Sequence, residues 1–193
     1  MRSGVIVALV ALAGSLAAQT PGQLTLEDRF RYHTLATVGP LAAFTGSAAT
    51  GIRQWMDAPP EWGQGMEGFG RRFGYCTANR AATNAIELAA GALLREDPRY
   101  FRSRDRGIGA RIRHALVRTF RVPNENGATS FAYARVVGAY GGGFVANLWQ
   151  PERLSNPGRA VLRGSVTLAG DAGGNVFREF WPDLRRILRP KHP

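Results

Sequence analysis

Gly158–Leu188, GRAVLRGSVTLAGDAGGNVFREFWPDLRRIL, is the longest run of the chain with one coherent helical pattern. At the helical period Val161, Leu162, Ser165, Val166, Ala169, Ala172, Val176, Phe177 and Phe180 share a broad arc, with Arg159, Arg163, Thr167, Asp171 and Arg178 largely outside it. The arc is predicted to be buried. Asp171, Asn175, Glu179 and Asp183 recur every fourth residue and form a polar row that ends beside the arc. Gly170, Gly173 and Gly174 next to that row predict a close neighbour whose polar groups bond across. A carboxylate buried there needs partners, so a network of Arg80, Glu87, Asn147, Asp171, Asn175 and Glu179 is expected to tie the helices together. Asn156 is placed to cap the helix with Pro157 at its first position, and Pro182 predicts a restart with Asp183 in the new first turn.

Working outward, SFAYARVVGAYGGGFVANLW (130–149) spaces Gly138, Gly142 and Ala146 by four, with Ala139 and Gly143 beside them. Three consecutive glycines weaken a lone helix by about 1 kcal/mol each, so close packing has to compensate. The Asn-Gly signal in Pro123–Gly127 separates this helix from an amphipathic one over 108–122. There Ile108, Ile112, Ala115, Leu116, Thr119 and Phe120 form the face predicted to be buried, opposite Arg111, His114, Arg118 and Arg121. Between Arg95 and Arg121 stand nine arginines and three acids. Arg99, Arg102, Arg111, Arg113, Arg118 and Arg121 are the candidate contacts to an anionic lipid surface, the alternative being the solvated face of a bundle.

A helix is predicted over 75–95, with Ala78, Ala82, Ala85, Ala89 and Ala92 as its small face and Glu87 needing a partner such as Arg80. Cys76, the single cysteine, excludes an intramolecular disulfide and reads as a buried filler. Trp62, Phe69, Phe73 and Tyr75 with Arg71 and Arg72 predict an aromatic loop folded over the core, and Asp57-Ala-Pro-Pro-Glu61 a break before it. Thr25 and Asp28 predict a capped helix start at Leu26. The uncharged run 34–52 is diluted by Thr, Ser, Gly and Pro40, which favours a kinked, buried small-residue helix over a membrane span.

At the N-terminus, Arg2, the apolar run Val5–Leu12 and the small residues up to Ala18 have the layout of a secretory signal. Residues 1–18 are expected to be removed and 19–193 to form one helical domain, an all-α bundle of about five Gly/Ala-rich helices. The net charge of +11 comes almost wholly from arginine, Lys191 being the only lysine. An exported basic chain meets anionic envelope lipid before nucleic acid, and the basic helix lacks interleaved aromatic residues for base stacking, so no nucleic acid is expected.

Metalloprotease, CxxC, GxSxG and phosphate-loop motifs are all missing. His33, His114 and His192 lie too far apart to share a metal. No metal and no cofactor is expected. EWGQGMEGFGRRFG (61–74), REDPRYFRS (95–103) and FREFWPDLRR (177–186) together resemble a family of secreted proteins from soil bacteria without a known activity. The resemblance implies export and a single helical domain, and transfers no site residue. The expected function is that of a non-enzymatic envelope protein contacting anionic lipid or an envelope partner. The alternative is an envelope hydrolase using Asp171 or Glu179 in a pocket between helices; the carboxylate pairs Glu96–Asp97 and Glu179–Asp183 could act as acid and base if their surroundings separate them.

Overall fold

The computed structural model describes residues 24–188. The signal expected at 1–18, and the tail carrying Lys191 and His192, lie outside them. The chain is an all-α bundle with one two-stranded hairpin. Helix α1 (Leu26–Val38) opens with a capping box in which Thr25 and Asp28 exchange bonds, as their spacing predicts. Gly39 and Pro40 break it, and α2 (Pro40–Trp55) follows in the same rod. After a turn at Pro60–Trp62 comes α3 (Gly65–Leu94), thirty residues long. The segment expected as an aromatic loop is therefore mostly helix, its glycines tolerated because α3 is held by packing rather than propensity.

Helix α4 (Ile108–Phe120) leads into β1 (Arg121–Pro123), which pairs antiparallel with β2 (Thr129–Phe131) across the turn ending at Gly127. Gly127 has φ +76°, the left-handed geometry that places glycine there. Next is α5 (Tyr133–Val145), prolonged by a 3-10 turn to Trp149, and last α6 (Pro157–Leu188). Asn156 caps α6 by accepting the amide of Arg159, as expected. The helix runs through Pro182 without restarting.

Helix α5 lies at the centre, between α3 and α6, with α1–α2 on the far side of α3 and α4 on the far side of α6. Glycine makes that order possible. A Cβ at Gly138 would come within 2.9 Å of the Glu87 Cβ and 3.0 Å of the Thr83 carbonyl, one at Gly142 would strike Thr83, and one at Gly143 would strike the Ala160 carbonyl. Glycine at 164 likewise receives Tyr140. By contrast Gly170, Gly173 and Gly174 have nothing within 4 Å, so the close approach expected there occurs about two turns earlier instead.

The burial pattern overturns the amphipathic expectation for α6. Its buried positions are Ala160, Gly164, Leu168, Asn175 and Glu179, while Val161, Leu162, Val166 and Phe177 are exposed. Helix α4 keeps only the small members of its predicted buried face. Ala115 and Thr119 are buried and Arg111 is turned inward, whereas Ile108, Ile112, Leu116 and Phe120 lie open. The rod α1–α2 buries Arg29, His33, Ala42, Gly46 and Thr50 and exposes Leu26, Phe30, Val38, Leu41, Phe44, Ile52 and Trp55, the last at 87%. It is thus not the buried helix favoured for 34–52. The physical reason is common to all these helices: small and polar residues allow backbones to meet and hydrogen-bond at short range, and bulky apolar residues do not fit into such seams.

Candidate functional site: buried charge knots and two arginine surfaces

Where α4 meets the C-terminal half of α6, Glu179 is fully buried. One carboxylate oxygen accepts the Tyr100 hydroxyl at 2.7 Å and the Ser103 amide at 3.0 Å, and the other accepts Arg111 Nε at 3.0 Å. Arg111 also donates to the Glu179 carbonyl at 2.6 Å, pairs with Asp183 at 2.7 Å and lies 4.3 Å from the centre of the Phe180 ring. Burial alone pushes the Glu179 carboxyl up, but the bonds from Tyr100, Ser103 and Arg111 together outweigh it and hold the group below the usual glutamate range. One turn earlier, Asn175 donates to Thr119 at 3.1 Å. The basic loop after Pro98 is thereby fastened to α6.

A second knot gathers the start of α1, the end of α3 and the start of α5. Arg29 donates to the carbonyls of Gly91 and Glu96 at 3.1 and 2.5 Å and pairs with Glu125 at 3.0 Å. Arg135 donates to the carbonyls of Arg118, Thr119 and Pro98 and stands 3.6 Å from Glu87. Glu96 stands among arginines in the sequence, a setting that predicts an ion pair. Instead its two oxygens accept the amides of Tyr133 and Ala134 at 3.0 and 3.1 Å, supplying from a distant loop the cap that Ala132 cannot give α5. Asp97 does form an ion pair, with Arg99 at 2.7 Å. The cavity enclosed by this knot is about 10 Å³, room for roughly one water.

The six residues of the expected polar network therefore belong to separate assemblies. Glu87 meets Arg135, Asn175 and Glu179 meet α4 and the loop before it, and Asn147 accepts from Arg163. Arg80 turns to α2, donating to the Ala42 carbonyl at 2.6 Å and to Thr45 at 3.3 Å. Asp171 is half-buried on α6 and makes no hydrogen bond or ion pair among the described residues. Sequence spacing supplies the residues that need partners, but the partners are chosen by helix order, which places α4, not α3, against the end of α6. Arg80→Met and Glu179→Gln share no partner, so their effects on unfolding free energy should add to within about 0.5 kcal/mol in a double-mutant cycle. A larger coupling would contradict this separation.

Of the six arginines proposed for lipid contact, Arg99 and Arg111 are engaged inside the protein, and Arg118 is half-buried. Arg102, Arg113 and Arg121 are exposed and form no ion pair among the described residues, and Arg104 and Arg106 are exposed in the loop before α4.

A second arginine surface, absent from the sequence expectations, lies between α2, the Pro-Pro turn and the start of α6. Arg53 from the end of α2, Arg153 from the turn Glu152–Leu154, and Arg159 and Arg163 from the start of α6 line a cleft of about 330 Å³ with Trp62 and Tyr75. Its wall at Ala58–Trp62 is held by Arg72, which is fully buried and donates to the carbonyls of Ala58, Pro59 and Gly63, to Gln54 and to Asp57. Arg163 is fixed by the Gly143 and Leu154 carbonyls and by Asn147. Arg53 lies 5.3 Å from the Tyr75 ring centre. Among the described residues only Arg153 has an acid, Glu61 at 2.9 Å, and no Asp or Glu lines the cleft. The four arginines are scattered between positions 53 and 163 and share no period. Only the Pro-Pro turn, flagged in the sequence as a break, marks the place where they meet.

No known protein family, curated protein or solved structure matches this chain. Its chemistry has to come from its own geometry. Neither cavity includes Asp171 or Glu179 in its lining, and Glu179 is sealed beneath Tyr100, Ser103 and Arg111. Glu179 ties α6 to α4 and to the loop before it, whereas Asp171 forms no such tie among the described residues.

Proposed function

We propose that the protein is a membrane-seated helical protein of the cell envelope, structural or interactive rather than enzymatic, whose arginine surfaces face anionic headgroups. The observation that carries this is a belt formed by α1–α2, α3, α5 and α6 that is nearly free of charge. Residues 34–52 contain no charged residue, and α5 with its 3-10 extension contains only Arg135, which is buried. From 164 to 177 in α6 the only charge is Asp171, and from 74 to 94 in α3 the only charges are Arg80 and Glu87, which bond to neighbouring helices. At 1.5 Å per residue these stretches are about 20 to 30 Å long, close to the hydrocarbon thickness of a bilayer.

The outer surface of that belt carries Leu35, Val38, Leu41, Phe44, Val137, Phe144 and Val166, all exposed. The rod Leu26–Trp55 is long and apolar enough to cross a membrane, and only 22% of its most apolar window is buried within the bundle. Exposed apolar side chains spread over α1–α2, α5 and α6 call for a covering on all sides, which lipid provides and a single protein partner does not. The exposed Arg102, Arg104, Arg106, Arg113 and Arg121, in and around α4, suit an anionic leaflet, each contributing on the order of 1 kcal/mol near its surface. The apolar, signal-like N-terminus supports placement in the envelope.

Membrane fractionation tests this. The native protein should stay in the pellet through high-salt and alkaline carbonate washes and be released by detergent. Release by salt alone would limit the attachment to peripheral electrostatics and overturn the insertion of the belt.

A further inference from the structure

The cleft between α2, the Pro-Pro turn and the start of α6 is not needed to seat the protein in a membrane, yet it is a formed site. Among the described residues three of its guanidinium groups, those of Arg53, Arg159 and Arg163, have no carboxylate partner, and the fourth is paired with Glu61. Like charges collected in one concavity repel each other, and an anion between them relieves that repulsion. The polar neighbours do not provide one. Arg163 is held by neutral carbonyl and amide oxygens, Arg53 meets the Tyr75 ring and the Cys76 sulfur, and Arg159 has no side-chain partner among the described residues.

The cleft is also half apolar. Trp62 and Tyr75 stand with their ring centres 5.4 Å apart, and Leu162, on the outer face of α6, completes the rim. Arginine forks match the oxygens of a phosphate two at a time, which a lysine cluster would not do. We propose that this cleft binds a phosphate group, with Arg53 and Arg159 as its direct donors, Arg163 as a fixed positive wall, and Trp62 and Tyr75 against the apolar body that carries the phosphate. Two sources share that chemistry, a phospholipid headgroup and a free phosphate compound. The site stands without the membrane proposal; only its lipid source rests on it.

The test uses the full chain in nanodiscs of phosphatidylcholine, with and without phosphatidic acid, and measures thermal shift and binding of inorganic pyrophosphate at fixed ionic strength. Arg53→Gln combined with Arg159→Gln should weaken pyrophosphate binding by about tenfold or more, whereas Arg31→Gln, on the exposed side of α1, should leave it unchanged. Arg163 is kept, because its bonds also hold the helices. Arg159→Gln alone, which removes no side-chain hydrogen bond or ion pair among the described residues, is the safeguard against misfolding and should show part of the loss. Stabilisation by phosphatidic acid that disappears in the double variant, with no response to pyrophosphate, assigns the site to a lipid headgroup. A pyrophosphate response lost in the same variant assigns it to a soluble phosphate. If neither ligand distinguishes the double variant from the parent, the site is refuted, and a simultaneous membrane-pellet result leaves the proposal for the belt standing on its own.

Discussion

Glu179→Gln should lower the unfolding free energy by about 3 kcal/mol, a loss measured by denaturant titration in detergent. The amide keeps the shape of the carboxylate but puts an NH2 group where Tyr100, Ser103 or Arg111 now donates, so one of the three bonds is replaced by two opposed donors. The dependence on pH follows from the direction of the shift. The folded-state carboxyl titrates below the unfolded one, so the unfolded chain takes up the proton first. The stabilisation is therefore complete above the ordinary glutamate range and disappears as pH falls through the folded value. The variant, lacking that group, should show a flatter acid limb than the parent. A variant that melts above the parent would mark Glu179 as strained for chemistry and revive the hydrolase alternative, because relieving an active-site charge commonly stabilises a fold.

Gly142→Leu should be the most damaging single change along the central helix, with a loss of about 3 kcal/mol or failure to fold. Even a Cβ at 142 strikes Thr83, and the further carbons of leucine have to enter the α3–α5 seam. The same type of residue behaves in the opposite way on α6. At Gly174 nothing lies within 4 Å, so Gly174→Ala should raise stability by up to about 1 kcal/mol through helix propensity alone. Thermal denaturation of the two variants in one detergent separates packing glycines from spacer glycines. Similar melting temperatures for both would contradict the helix order described here.

The helix inventory is legible in the sequence because its punctuation is local. Thr25, Gly39-Pro40, Asn124–Gly127 and Asn156-Pro157 each act within a few residues, and each falls where an element begins or ends. Which face is buried is not legible in the same way. Periodicity separates apolar from polar positions on α6 but does not state which set meets protein, and the usual assumption that the apolar set does so belongs to proteins folded in water. The small residues 138, 142, 143 and 164 were the better guide, since only a close helix contact explains them. Partner choice was illegible for a different reason. Glu96 capping α5 and Arg111 holding Glu179 link positions 38 and 68 residues apart, and such pairings depend on the order in which helices pack.

The exchange of inside for outside also governs how such a chain can drift. In the proposed membrane seat hydrocarbon imposes no particular shape on what touches it, so Leu35, Val38, Phe44, Val137 or Val166 should each be replaceable by another aliphatic or aromatic side chain with little consequence. The interior has no such latitude. Arg72 fills its place with acceptors on every side, Glu96 and Glu179 have their oxygens assigned, and the seams of α5 admit no added carbon. Substitutions should therefore accumulate fastest at the most hydrophobic positions, the reverse of a water-soluble bundle, and the slowest positions should be glycines and charges.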